Sequence, residues 1–144
     1  MDIKQKILVT AIIIKTNKIL LQRRTDDLKT HKGKWTTPSG MVKINEHPQD
    51  AVIREVKEEL GIDVEILSVI PSIDSFPNHK DKYHLIYLSY LCKITKGVPK
   101  NIDRDGDVSE LKWCNINKIY DEDLIRGTLS PIQKCIDLDL FSTI

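Results

Sequence analysis

Apolar and polar residues alternate along this chain in two rhythms, and the change from one to the other marks its elements. Ile7 to Ile14 is an almost continuous apolar run, and Ile19-Leu20-Leu21 follows it before Gln22-Arg23-Arg24. Both read as strands, near 6–15 and 18–23. A loop through Thr25 to Gly33 comes next, then short extended pieces around Trp35 to Val42. Val64 to Ile73, Tyr83 to Ile94 and Val108 to Cys114 are strand-like by their β-branched and aromatic content. Between these strands the rhythm becomes helical. At about 100° per residue, Val52, Ile53, Val56 and Leu60 fall in one apolar arc. Pro48 suits a first helical position, Gln49 to Leu60 lacks Gly and Pro, and Gly61 stands where a helix ends in a left-handed residue. Residues 121 to 141 read as helix around a turn at Ser130-Pro131. Strands on either side of one helix, with a late helix on the far face, predict an α/β protein layered α/β/α around a mixed β-sheet.

Composition narrows the function classes. At 144 residues the chain is expected to form one domain, 1–144, burying about 68% of its unfolded surface. Charge is nearly balanced, with 22 Lys plus Arg against 21 Asp plus Glu. No broad basic footprint for a nucleic-acid polymer is expected, and a small anionic ligand fits better. The Ile7–Ile14 run is too short for a membrane span, and Lys15 interrupts it before any signal-peptide pattern. Cys92, Cys114 and Cys135 are odd in number and have no C-x-x-C spacing, which predicts reduced thiols and a cytoplasmic setting. His31, His47, His79 and His84 form no zinc pattern.

The chemistry is concentrated on the predicted helix. Glu55, Glu58 and Glu59 share a strip with Ala51, beside the apolar arc, while Arg54 and Lys57 lie on the remaining side. Like charges at i and i+4 cost roughly 0.2 to 0.5 kcal/mol, and anions in the last turns oppose the helix dipole. A solvated glutamate face is the ordinary fate of such a run. Hard divalent cations also want carboxylate oxygens, so spacing alone leaves both readings open.

The wider register separates them. From Gly40 the chain runs through five residues to Glu46, seven more, and then Arg54-Glu55-Val56-Lys57-Glu58-Glu59-Leu60-Gly61-Ile62. This resembles the Nudix box of the Nudix hydrolase superfamily at every fixed position. Upstream, Ile19 to Arg24 and Gly33-Lys34-Trp35-Thr36-Thr37-Pro38 look like the strands and Trp-x-x-Pro approach of the MutT-like branch. Downstream, Glu110-Leu111-Lys112-Trp113 is similar to a late strand of the family, so the resemblance covers about residues 5 to 120. Two positions depart from the family pattern: Ser39 and Asn45 stand where many members have glycine. Asn45 tolerates the left-handed backbone that such a glycine serves.

The resemblance implies the Nudix fold and a metal-dependent pyrophosphohydrolase acting on a nucleoside diphosphate linked to another group. It implies that Glu55, Glu58 and Glu59, with the Gly40 carbonyl, hold Mg²⁺ or Mn²⁺, and that Arg54 pairs with Glu46 to brace helix against loop. For the general base it offers Glu55 or an acidic residue of a later loop; Asp107 is preferred among Asp103, Asp105, Asp107 and Glu110. Arg23 and Arg24 leave a strand towards the site and are candidate substrate contacts, though surface charge explains at least one of them. Phe76 and Asn78 could wall a nucleobase, and loop packing explains Phe76 equally well; Trp35 and Trp113 are expected in the core. A (deoxy)nucleoside triphosphate cut to monophosphate and pyrophosphate is the favoured substrate. ADP-ribose or nucleotide-sugar hydrolysis is the first alternative, set behind because those relatives often carry an additional N-terminal dimerisation segment. A catalytically silent nucleotide-binding module is the second, opposed by the intact box. Isopentenyl diphosphate isomerase shares the fold, but its Cys and extra metal ligands have no counterpart. The sequence does not decide between monomer and homodimer.

Overall fold

The computed structural model describes residues 2–25, 33–78, 83–102 and 106–143, with the side chains of Pro77, Asn78 and Thr143 outside that set. Most of the expected Thr25–Gly33 loop, with His31, His79, Asp103 and Asp105, therefore lies outside the described residues. The strands are β1 (Lys4–Lys15), β2 (Lys18–Arg24), β3 (Trp35–Thr36), β4 (Ser39–Met41), β5 (Asp63–Asn78), β6 (Tyr83–Lys96) and β7 (Val108–Asn115). The α-helices are α1 (Pro48–Leu60) and α2 (Leu129–Asp137).

Among the described residues the strands form one mixed sheet in the order β3-β2-β1-β6-β5, with β4 against β1 and β7 against β2. β1 runs parallel to β6 and antiparallel to β2 and β4. Thr16 and Asn17, with φ of 49° and 59°, close the β1–β2 hairpin in the doubly left-handed geometry that suits strand twist.

Alternation along β1 sends its side chains to two cores. Val9, Ala11 and Ile13 meet Ala51, Val52, Val56 and Leu60 of α1. Ile12 and Ile14 join Ile70, Ile132 and Cys135 on the α2 side. The sheet is thus sandwiched between α1 and α2, as the patterning predicts. Helix α1 begins at Pro48 and stops where Gly61, at φ 70°, turns left-handed and donates its N–H to Lys57.

Three expectations differ from the structure. Ile53 is 38% exposed; the buried stripe is Ala51, Val52, Val56 and Leu60, so the helix is rotated away from Ile53 and towards the small Ala51. Ser130-Pro131 is no turn but part of the first turn of α2, where proline's missing N–H has no intrahelical partner to lose. The late helical region is also split: 3₁₀ turns at Ile116–Asp121 and Leu140–Thr143 flank α2. Cys92, Cys114 and Cys135 are buried free thiols, and burial pushes Cys92 and Cys135 up to about 12, which leaves both protonated and inert. Trp35 and Trp113 are partly buried against the two cores. Among the described residues no helix is long and apolar enough to cross a membrane.

Candidate active site

Helix α1 presents its glutamates beside its buried stripe, with Glu55 and Glu59 half-buried and Glu58 exposed. Glu55 lies directly on β4. A Cβ built on Gly40 would stand 2.1 Å from the Glu55 carboxyl carbon, so glycine is required there for the helix to sit as it does. The preceding loop is shaped by Asn45, whose φ is 66°; the left-handed backbone expected of it is present.

Arg54 organises the strip. Its Nε donates to Glu46 Oε2 at 2.7 Å and its Nη2 to Glu46 Oε1 at 2.9 Å, a two-pronged charge-assisted pair. Nη2 also reaches the Met41 carbonyl at 3.0 Å. Nη1 donates to Glu55 at 2.8 Å and to Glu58 at 3.2 Å. The guanidinium therefore links loop, strand and helix. Hydrogen bonds from Arg54, and then from the Lys43 backbone N–H, hold Glu46 down at about 2, and the same pairing raises the already high Arg54.

A second feature opens on the α2 side of the sheet. There, a cavity of about 650 Å³ is floored by β1, β5 and β6 and walled by the segment entering α2; its size suits a small organic ligand. Arg24 and Phe76, both candidate substrate contacts, are among the residues that line it. Burial raises the Tyr87 phenol, with the charge of Arg24 partly offsetting the rise. Phe76 meets Tyr87 edge-on, ring centroids 5.7 Å apart, and occupies the space where a Cβ on Gly127 would stand.

Strand β4 joins the two features. Ser39 pairs with Thr10 and lines the cavity, whereas Gly40 pairs with Val9 of the α1 core and carries Glu55. Neighbouring residues of one strand thus serve opposite faces. The family model for the NUDIX domain matches residues 4–133. The chain belongs to the Nudix hydrolase superfamily.

Two relatives and one solved structure illustrate its place there. An ADP-ribose pyrophosphatase of Methanocaldococcus jannaschii is 32% identical over 77% of this chain and 62% of its own length. An 8-oxo-dGTP diphosphatase of Proteus vulgaris is 35% identical over 52% of this chain and 69% of its own. The crystal structure of a MutT NUDIX hydrolase from Burkholderia pseudomallei superposes with a TM-score of 0.79 at 25% identity, covering 90% of this chain and 97% of that one. The chain therefore spans about three fifths of the length of the first relative.

Nudix hydrolases generally depend on a divalent cation, and the residues here fit one in kind. Three carboxylates along one strip of α1, with the backbone of Gly40 beneath Glu55, are hard oxygen donors. As placed, Glu55 and Glu58 are engaged by Arg54. Among the described residues no three His, Cys, Asp or Glu side chains already frame a common point. A cation at the strip would compete with Arg54 Nη1 for Glu55 and Glu58 while leaving the Arg54–Glu46 fork intact.

The remaining candidates are dispersed. Arg23 is not among the residues that line the cavity; it donates to Glu110 at 2.9 Å and to the Gly33 carbonyl at 3.1 Å. Asp107 pairs with Arg24 at the end of β2, 3.9 Å away. The Asn78 side chain lies outside the described set. What the sequence reading missed are Asp74, Ser89 and Thr128 on the cavity wall. The available signal was an acid within an otherwise β-branched strand two residues before Phe76, and the i, i+2 spacing of Leu85, Tyr87 and Ser89.

Proposed function

We propose that this protein is a divalent-cation-dependent pyrophosphohydrolase that cleaves a nucleoside triphosphate to the monophosphate and pyrophosphate. The observation that carries the reading is the β4 junction, where Ser39 lines a nucleoside-sized cavity and the adjacent Gly40 seats Glu55. A ligand whose base lies in the cavity brings its phosphate chain towards the carboxylates at that step. Glu55, Glu58 and Glu59, with the Gly40 carbonyl, would hold Mg²⁺ or Mn²⁺, which when bound supplies charge neutralisation and a lowered water pKa. Arg54 and Glu46 fix the helix against the loop, so the carboxylates keep their spacing. Glu55, packed on Gly40 and half-buried at the carboxylate strip, is the candidate for taking a proton from an attacking water; Asp107, beside Arg24 at the end of β2, is the rival.

A second reading, hydrolysis of ADP-ribose, is favoured by the 32% identity to the M. jannaschii enzyme. The deciding experiment is a product assay with Mg²⁺ or Mn²⁺ over nucleoside triphosphates, ADP-ribose and nucleotide sugars. Pyrophosphate release from a triphosphate supports the first reading, and AMP release from ADP-ribose alone supports the second. Binding without any product would make the chain a silent nucleotide-binding module. In the active case, Glu58→Gln should lower turnover by more than the roughly 10- to 100-fold that loss of an outer-shell partner costs, with the fold intact. Asp107→Asn should leave turnover within a few-fold; a collapse there would transfer the base's role from Glu55 to Asp107.

A further inference from the structure

The cavity on the α2 side has an internal chemistry that the phosphate reaction does not use. Asp74, in β5, faces into it. Its Oδ1 accepts from Ser130 Oγ at 2.7 Å and its Oδ2 from Ser72 Oγ at 3.1 Å. Both hydroxyls are held outside the cavity floor for a structural reason. The β5–β6 register slips between Ile70 and Ile73, so Pro71 and Ser72 are extra residues in a bulge, and such bulges re-aim side chains. Ser130 sits in the first turn of α2, where the helix dipole also favours an anion. Asp74 is thereby locked in one rotation. A carboxylate has about four lone-pair sites, so after two serines each oxygen still has one to offer.

A second observation points to a ligand. Ser89 is only 1% exposed, lines the same cavity, and its Oγ has no hydrogen-bond partner among the described residues. A buried hydroxyl left in this way is costly unless something docks against it. Asp74 pairs across the strands with Tyr87, and Ser89 follows Tyr87 by two on the same face of β6. The cavity thus offers two fixed acceptors and, further along, the unpartnered Ser89 hydroxyl, beside the rings of Phe76 and Tyr87; the Nε of Arg24, another lining residue, is likewise without a hydrogen-bond partner among the described residues.

We propose that Asp74, oriented by Ser72 and Ser130, is a specificity-determining residue, and that together with Ser89 it selects a guanine-type base. Guanine alone among the common bases presents two adjacent N–H donors, N1–H and the 2-amino group, followed by an acceptor oxygen. Adenine sets a ring-nitrogen acceptor against the carboxylate, and hypoxanthine keeps N1–H and the oxygen but lacks the 2-amino group. The vicinal hydroxyls of a ribose offer the same pair of donors, so the test separates base from sugar. The inference rests on the nucleotide reading above, but not on turnover.

The experiment is calorimetric titration of GMP, dGMP, IMP and AMP, without added metal, into the wild-type protein and into Asp74→Asn and Ser89→Ala. In the wild type, GMP and dGMP should bind alike and at least about tenfold more tightly than IMP or AMP, the discrimination expected of a two-pronged base contact. Asp74→Asn should close the gap between GMP and IMP. Ser89→Ala should weaken GMP and IMP together, because both carry the oxygen. If Asp74→Asn does not fold, the Ser72→Ala/Ser130→Ala pair, which frees the carboxylate to rotate, should shrink the same gap. Equal affinities in the wild type, a gap untouched by these variants, or no binding of any nucleotide would overturn the proposal. A gap between GMP and dGMP instead would assign Asp74 to the sugar and overturn the base assignment. Because binding is read without catalysis, loss of hydrolysis would leave this result standing, and base selectivity without product release would sink only the enzymatic reading.

Discussion

Arg54 makes five hydrogen bonds to four partners, Glu46, Met41, Glu55 and Glu58, and two consequences follow for single side chains. Glu46 is held far below its ordinary value of 4.5, at about 2, so its folded form releases its proton more readily than its unfolded form. The sign is that of a depressed carboxylate: the stabilisation is complete above about pH 5 and lost as pH falls through about 2. Urea titrations of wild type and Glu46→Gln across pH 2 to 7 should therefore show a stability difference near neutrality that disappears towards pH 2. Gly40→Ala should act differently, since its Cβ would meet the Glu55 carboxyl at 2.1 Å. It should cost activity through a displaced Glu55 while far-UV circular dichroism stays unchanged. These positions were legible because they fall at fixed spacings in a family signature. Asp74 and Ser89 were not, since their meaning depends on which strand lies beside which and on a bulge at Pro71 that no local pattern announces.

Helix α1 was readable from both ends, because Pro48 and Gly61 act through the local backbone and need no tertiary partner. The left-handed φ of 70° at Gly61 is open to a direct check. Gly61→Ala should lower stability by about 1 to 2 kcal/mol, measurable as a shift in the chemical unfolding midpoint, without altering which face α1 buries; an unchanged midpoint would mean that the helix end relaxes. Helix α2 was misread for the opposite reason. Ser130-Pro131 has the composition of a turn, yet the first turn of a helix tolerates the same residues, and only packing of Ile132 and Cys135 on Ile12 and Ile70 decides between them. Ile53 shows the same limit within a correctly placed helix: periodicity gives an apolar arc, and the sheet chooses its centre.

For the molecule as a whole, β1 contributes to both cores, through Val9, Ala11 and Ile13 on one side and Ile12 and Ile14 on the other. A chain built around such a shared strand should unfold as one cooperative unit. Tryptophan fluorescence, from Trp35 on one core and Trp113 on the other, and far-UV circular dichroism should give coincident denaturant transitions. Separate midpoints would show that the faces melt independently. The layered architecture was legible from the order of elements, while the cavity emerged only from cross-strand register. The step from Ser39 to Gly40 has a last consequence. On the function proposed above, it divides the molecule into a side that chooses and a side that reacts, and substitutions on either would inherit little constraint from the other. A scaffold divided in this way can exchange one ligand for another over its history while its carboxylate edge remains fixed, which is a route to many specificities from one fold.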